Sequence, residues 1–370
     1  GAHWGARARA RGRRRSARTR APLGACARGR ALAFARAAGR AMVTVEVTNL
    51  PHAPLDCISR VRFAPIAGSN LLLVGSWDSH VRLYDAAAGR LTGLHKRNMA
   101  VLDCTFLHDT SRFLAVGLDR CLVTGDFQSQ QELPLGQHDE PIKCVEFHAP
   151  TQQVFTGSWD RTLRAWDPRQ PMRATQYVAV GAKVFCMDTS PDRVVVGCSD
   201  RNIYIYDVRS MRMPIEKRAS HLNYQLRTLQ VSVDNKAFAS GSVEGRVALE
   251  YFDEEENARS RYAFKCHRVK EGGEEAIHPV NALAFHPVHG TFATGGSDGG
   301  VAVWDGYAKK RLWRLDPFPT SVASLGFSAD GTRLAIGVSY TFDQGEKVPA
   351  PANEIVIRNV SDAEMRPKGK

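Results

Sequence analysis

The sequence predicts an all-β protein, a seven-bladed β-propeller, and three observations carry that expectation. First, strand-like runs end repeatedly in a large residue followed by Asp: Leu83-Tyr84-Asp85, Ala165-Trp166-Asp167, Ile205-Tyr206-Asp207 and Val303-Trp304-Asp305. Second, three degenerate copies complete the series, at Gly125-Asp126, Leu249-Glu250-Tyr251 and Ile357-Arg358-Asn359. Aligned positions 84, 125, 166, 206, 250, 304 and 358 give steps of 41, 41, 40, 44, 54 and 54. Third, Gly-Ser-Trp-Asp occurs twice, at 75–78 and 157–160, with a cousin at Gly296-Ser297-Asp298. A period near 40–45 residues with a Trp-Asp ending marks a WD-repeat propeller with four strands per blade.

Each unit follows one plan. An alternating strand ends in a Phe step, as in Val61-Arg62-Phe63 and Leu283-Ala284-Phe285. A small-residue strand follows, such as Phe292-Ala293-Thr294-Gly295-Gly296. Then comes a tight turn with Asp, and a third strand with the Trp-Asp ending. Asp78, Asp119, Asp160, Asp200 and Asp298 fill the turn, where a carboxylate accepts backbone N–H groups. They are expected to be structural. His138 is expected to join a hydrogen-bond network inside its blade. The second blade, ending Gly125-Asp126-Phe127, has lost its Trp and is expected to be irregular.

A propeller must close without leaving a sheet edge. The run Val43 to Val47 precedes the first blade and is expected to supply the outer strand of the seventh. The two 54-residue steps imply insertions. Residues 253–261 suggest a charged hairpin tip, and 268–279 and 341–352 suggest exposed loops. The 341–352 segment is given no role.

The propeller is expected to span 42–370, behind a disordered Ala/Arg-rich tail at 1–41. Residues 1–41 contain 12 arginines and no Asp or Glu. Removing these 12 from the 50 basic residues leaves 38, against 38 acidic ones, so the net charge of +12 belongs to the tail. That argues against direct nucleic-acid binding by the propeller, which would need a basic face. With almost no hydrophobic periodicity, the tail cannot bury enough apolar surface to offset its chain entropy. The first methionine, Met42, stands immediately before the first strand. Residues 1–41 are therefore expected to be upstream sequence joined to a domain starting at Met42, with an Arg-rich targeting segment as the alternative.

No run of about 18 apolar residues exists, which excludes a membrane-spanning helix. None of the eight cysteines is spaced as C-x-x-C, and no zinc site is expected. There is no P-loop and no dinucleotide glycine fingerprint. Gly295-Gly296-Ser297-Asp298-Gly299 matches G-x-S-x-G, but a nucleophile elbow needs a following helix and this turn leads into a strand. The sequence offers no catalytic constellation, metal or cofactor, and a non-enzyme is expected. What it offers is Trp77 and Trp159, placed by the shared turn on one rim of the propeller. Exposed Trp is favoured at binding hot spots.

Longer stretches carry a more specific resemblance. They are SVEGRVALEY (242–251), YAFKCHR (262–268), LNYQLR (222–227), HPVHGTFATGGSDG (286–299), PTSVASL (319–325) and DAEMRPK (362–368). Over about residue 45 to the end, the chain resembles the Bub-family mitotic checkpoint WD-repeat proteins. The resemblance implies a non-catalytic adaptor, monomeric on its own, in the nucleus and at kinetochores in mitosis. It implies two ligands. One is a GLEBS segment of the checkpoint kinases, bound through Trp77, Trp159, Arg227 and Glu244. The other is a phosphorylated MELT-type repeat of a kinetochore scaffold, with phosphothreonine held by Arg227, Arg246 and Lys265. Converging cations suit a phosphate of nearly two negative charges. The Rae/Gle-type mRNA export propellers are a sister family, sharing FKCHR (264–268) and HPVHG (286–290), and imply a GLEBS-binding export factor as the alternative.

Overall fold

The computed structural model describes residues 31–32, 45–108 and 110–368. The expected tail at 1–41 lies outside the described residues, apart from Ala31–Leu32, which pair with Val45 and Glu46. The described chain forms seven four-stranded antiparallel sheets in sequence order, the seventh extended by that short pair. We label them blades one to seven and their strands a to d, from the innermost outwards. Blade one is Ile58–Phe63, Leu71–Ser76, His80–Asp85 and Arg90–Lys96; blade five is Leu226–Val231, Ala237–Ser242, Arg246–Tyr251 and Tyr262–Lys265; blade six is Val280–Phe285, Phe292–Gly296, Val301–Asp305 and Lys310–Arg314.

The seven aligned sequence positions occupy one place in the fold. Tyr84, Gly125, Trp166, Tyr206, Glu250, Trp304 and Arg358 all lie on strand c. They pair across to Leu72, Phe113, Val154, Val194, Phe238, Phe292 and Leu334 of strand b. The period read from the sequence is therefore the register of the sheets, including the copies that lost their Trp.

The ring closes as expected. Val45–Asn49 forms strand d of blade seven, with Val47, Thr48 and Asn49 opposite Arg358, Ile357 and Val356. The chain's beginning thus covers the edge its end would expose.

Two blades hold the full polar set behind the signature. In blade three, His138 bonds Asp160 through Nδ1 and Thr156 through Nε2, each at 2.8 Å, and the Trp166 indole N–H donates to Thr156 at 2.8 Å. In blade six, His267, Asp298, Thr294 and Trp304 repeat the arrangement at 2.8–2.9 Å. The expected network at His138 is present, and the sequence reading missed its counterpart at His267.

The degenerate blades solve the same packing problem with other groups. In blade two, a Cβ on Gly125 would lie 2.2 Å from the Phe113 ring, so Phe113 fills the space a Trp would take. Phe127 packs on Phe113 at 4.7 Å. The blade keeps four strands, and its outer strand shifts register between Pro134 and Gly136, much as other outer strands do. In blade seven, the Arg358 guanidinium stacks 4.0 Å from the Trp313 ring and bonds Glu364 at 2.7 Å.

Two insertions differ from expectation. Residues 254–260 form a helix where a hairpin tip was expected. Asp253 caps it by accepting the Glu256 N–H, three acidic residues fill the first turn, and buried Asn257 accepts the Tyr251 N–H. Residues 268–277 form a hairpin where a loop was expected, with strands Arg268–Glu271 and Glu274–Ile277. Gly272 and Gly273, both at positive φ, make its turn. The 341–352 segment is a loop between strands b and c of blade seven. Ser297 of the G-x-S-x-G match precedes strand Val301–Asp305, and its hydroxyl meets Asn281 and Thr341, so no nucleophile elbow exists there.

Replacing Phe113 with Ala should leave a cavity opposite Gly125 and cost about 3–5 kcal/mol, measured as a lower urea midpoint with an unchanged slope. Burial holds His138, His148 and His286 below the ordinary histidine value. The unfolded chain then takes up protons that the folded state refuses. This contribution is full above pH ~6.5 and declines as pH falls below it, while burial raises Asp188 to about 7 and also raises Glu250, which opposes it in the same window. Asp78, held down to about 2, adds its own loss only below pH ~4. Urea midpoints at pH 4.5 and 2.5 check the Asp78 contribution, with the lower value expected at 2.5, where Asp160 and Asp298, also held below the ordinary value, act in the same direction.

Candidate functional site

Register places all the expected binding residues on one rim. Strand a begins, strand b ends, strand c begins and strand d ends at this rim. Trp77 and Trp159 follow strand b of blades one and three, after Ser76 and Ser158. Arg227 is the second residue of strand a of blade five, Arg246 begins strand c, and Lys265 ends strand d. Glu244 lies in the turn between strands b and c.

The two tryptophans share the rim but not the surroundings. Trp77 is 41% exposed and lines a central cavity of about 600 Å³. Arg60, Lys143 and Arg227 bring three cations to the same cavity, beside the apolar Phe185 and Leu229. Trp159 is half-buried, and its indole N–H is buried without a partner. A buried donor of that kind costs free energy until an acceptor meets it.

Arg227 is held from two sides. One terminal nitrogen donates to Asn281 Oδ1 at 2.7 Å, and the other lies 3.4 Å from Asp343. Asp343 belongs to the 341–352 loop, to which the sequence reading gave no role. Asp343 is the carboxylate with which an incoming anion would compete for Arg227.

Arg246 and Lys265 are direct cross-strand neighbours in blade five. Like charges opposite each other destabilise a sheet. The Arg246 Nε is buried without a hydrogen-bond partner, and Glu244 lies 3.7 Å from it. The other Glu244 oxygen accepts the Asn223 N–H at 3.2 Å. Glu244 thus balances Arg246 and fixes the connection into blade five. The structure brings Arg246, Lys265 and Glu244 together and sets Arg227 apart, on the inner strand facing the cavity.

The sequence reading missed Arg60 and Lys143 of the cavity, the acid Asp343, and further cations beside Lys265. No motif marks any of them. Their neighbourhood comes from which strand ends meet at the rim. Among the described residues no cluster of His, Cys, Asp and Glu could hold a metal ion. No helix among them is long and apolar enough to cross a membrane.

Comparison with known proteins agrees with this architecture. The WD domain, G-beta repeat family matches residues 129–167 and 264–305, which contain the two complete His-Asp-Thr-Trp sets. The mitotic checkpoint protein BUB3.1 of Arabidopsis thaliana is 44% identical over 328 residues, covering 87% of this chain and 95% of that protein. The mitotic checkpoint protein bub-3 of Caenorhabditis elegans is 39% identical over 330 residues, covering 86% and 95%. Protein Rae1 of Drosophila melanogaster is 33% identical over 328 residues, covering 85% and 94%. With the fold, the register of every repeat and this extent of identity in agreement, the chain belongs to the Bub3 family of mitotic checkpoint WD-repeat proteins.

Proposed function

We propose that this chain is a non-catalytic adaptor of the spindle assembly checkpoint. It binds a GLEBS segment of checkpoint kinases and a phosphorylated MELT-type repeat of a kinetochore scaffold, and so recruits the kinases to unattached kinetochores. It acts as a monomeric propeller, nuclear and at kinetochores in mitosis. The observation that carries this reading is the opposed pair Arg246–Lys265 at the rim of blade five. Glu244 balances Arg246 at 3.7 Å, which leaves Lys265 as the excess charge of the pair, and phosphothreonine offers three acceptor oxygens and nearly two charges to meet it. Arg246 can bind two oxygens, while Lys265 acts as a point charge.

The GLEBS segment fits the neighbouring rim. Exposed Trp77 and the unpartnered donor of Trp159 suit a segment with apolar and acceptor side chains, and Lys143 is the cation of the cavity that, among the described residues, has no carboxylate at ion-pair distance. Glu244 serves this segment from its place beside Arg246. The second reading, a GLEBS-binding mRNA export factor, rests on the 33% identity to Rae1. The higher identity to two mitotic checkpoint relatives favours the first.

Calorimetric titration of the chain saturated with a GLEBS peptide tests the reading. A MELT-type peptide should bind only when its threonine is phosphorylated. The double variant Arg227→Ala/Arg246→Ala should abolish that binding while retaining the fold. Absence of binding by either peptide form would favour the export reading. Trp77→Ala should weaken GLEBS binding by about 2 kcal/mol or more without lowering the thermal midpoint. A lowered midpoint with unchanged affinity would make the ring a packing residue.

A further inference from the structure

The 341–352 loop closes a circuit of side chains that runs through blades five, six and seven. Arg227 of blade five donates to Asn281 Oδ1 at 2.7 Å. The Asn281 amide, on strand a of blade six, donates to the Ser297 hydroxyl at 2.9 Å. Ser297 lies 3.3 Å from the Thr341 hydroxyl, and Thr341 donates to Asp343 Oδ2 at 2.9 Å. Ser321 also lies 3.2 Å from the Thr341 hydroxyl. The other Asp343 oxygen accepts from Arg227 at 3.4 Å. This last link is the longest of the circuit, and it carries a charge at each end.

The loop holds together on its own. The Tyr340 hydroxyl donates to the Gly345 carbonyl at 2.7 Å and accepts the Gln344 N–H at 3.1 Å, and the Gly345 N–H donates to the Phe342 carbonyl at 3.1 Å. Lys347 stands 4.6 Å from the Tyr340 ring, and Phe342 packs on that ring at 5.2 Å. Among the described residues, the polar ties of 341–347 to other segments are those of Thr341 and Asp343. Phe342, between these two, is 56% exposed and holds φ at 58°, a conformation that costs an aromatic residue free energy. Hollows flank the loop on both sides. Thr341 and Phe342 line the central cavity with Arg227, and Tyr340, Asp343 and Lys347 line a smaller one of about 190 Å³ between blades six and seven. The loop therefore has space to move into when Arg227 releases it.

We propose that the 341–352 loop is an autoinhibitory strap: Asp343 occupies Arg227 in the free protein, and an acidic side chain of an incoming peptide takes its place and frees the loop from the cavity mouth. The peptide is the one assigned to Arg227 above, so its identity rests on that reading. Asn281 holds one terminal nitrogen of Arg227, so a carboxylate binding that guanidinium competes for the nitrogen that Asp343 uses. The strap lowers the apparent affinity by the fraction of chains in which Arg227 is free. It thereby favours a ligand that brings an acid over one that brings apolar contacts alone.

Two measurements on the full chain test this. The first follows hydrogen exchange at the Gln344 and Gly345 amides without ligand. Both should exchange about threefold faster in Asp343→Asn than in the native chain, while amides of the blade five strands keep their rates. Equal exchange at both amides overturns the strap. The second titrates a GLEBS peptide at low salt. Asp343→Asn should bind it about threefold tighter than the native chain does. Unchanged or weaker binding overturns the strap, as does a gain that persists in an Arg227→Ala background. Saturating the native chain with the peptide should speed exchange at Gln344 and Gly345. Slower exchange makes the loop a lid that closes on the ligand, and overturns autoinhibition. Failure of the peptide to bind both the native chain and Asp343→Asn overturns the adaptor reading, and the exchange comparison then decides the strap alone.

Discussion

The close approach of one blade to the next is the constraint on which the rest of the molecule depends. In six of the seven blades, a glycine in strand b lies against the inner strand of the following blade. A Cβ on Gly157 would sit 2.5 Å from Val184, and one on Gly295 would sit 2.5 Å from Val322. The same contact closes the ring, where a Cβ on Gly337 would meet Ile58 of blade one at 3.0 Å. Any side chain there would wedge two blades apart, because the packed interior has no slack for an added methyl group. Strand b is accordingly buried on both faces, as in Leu72–Ser76 and throughout Ala237–Ser242.

This packing explains how the repeat can lose its emblem and keep its shape. The strand c position needs volume against strand b, not an indole as such. Trp166 and Trp304 supply it with a hydrogen-bonded partner set, whereas Phe113 supplies it from the opposite strand in blade two. Glu250 is fully buried at the same position and accepts the His221 N–H at 3.3 Å. Arg358 reaches across to Trp313 and Glu364 instead. Each polar substitute keeps one partner when it leaves water, although one Glu250 oxygen and two Arg358 nitrogens stay buried without a hydrogen bond.

A rigid ring also explains why the residues of the proposed site gather at one rim. The strands are committed to packing, so variation is confined to their ends and connections. Blade five concentrates it. Its strand ends carry Arg227, Arg246 and Lys265, its following connection grows into the hairpin at 268–277, and the Asp343 loop of blade seven reaches Arg227. Charges that would repel each other on a free surface are held in place by sheet register, which suits the anion site proposed here.

The sequence by itself determined the blade count, the register of all seven repeats and the closing strand. These follow from local pattern: apolar alternation, the Asp that turns the chain, and a period that survives even where Tyr84 or Arg358 replaces Trp. Long stretches such as SVEGRVALEY and YAFKCHR carry the family resemblance that implies the residues of the proposed rim site. The sequence reading misjudged 254–260, where the Asp253 cap outweighed the look of a hairpin tip, and 268–277, where Gly272-Gly273 turned an expected loop into a hairpin. Only the tertiary structure decided which charges face one another. Arg227 and Asp343 are 116 residues apart, and Lys265 shares a cleft with Arg311 across two blades. No local pattern encodes such meetings, because they depend on where the ring of blades brings separate strand ends together.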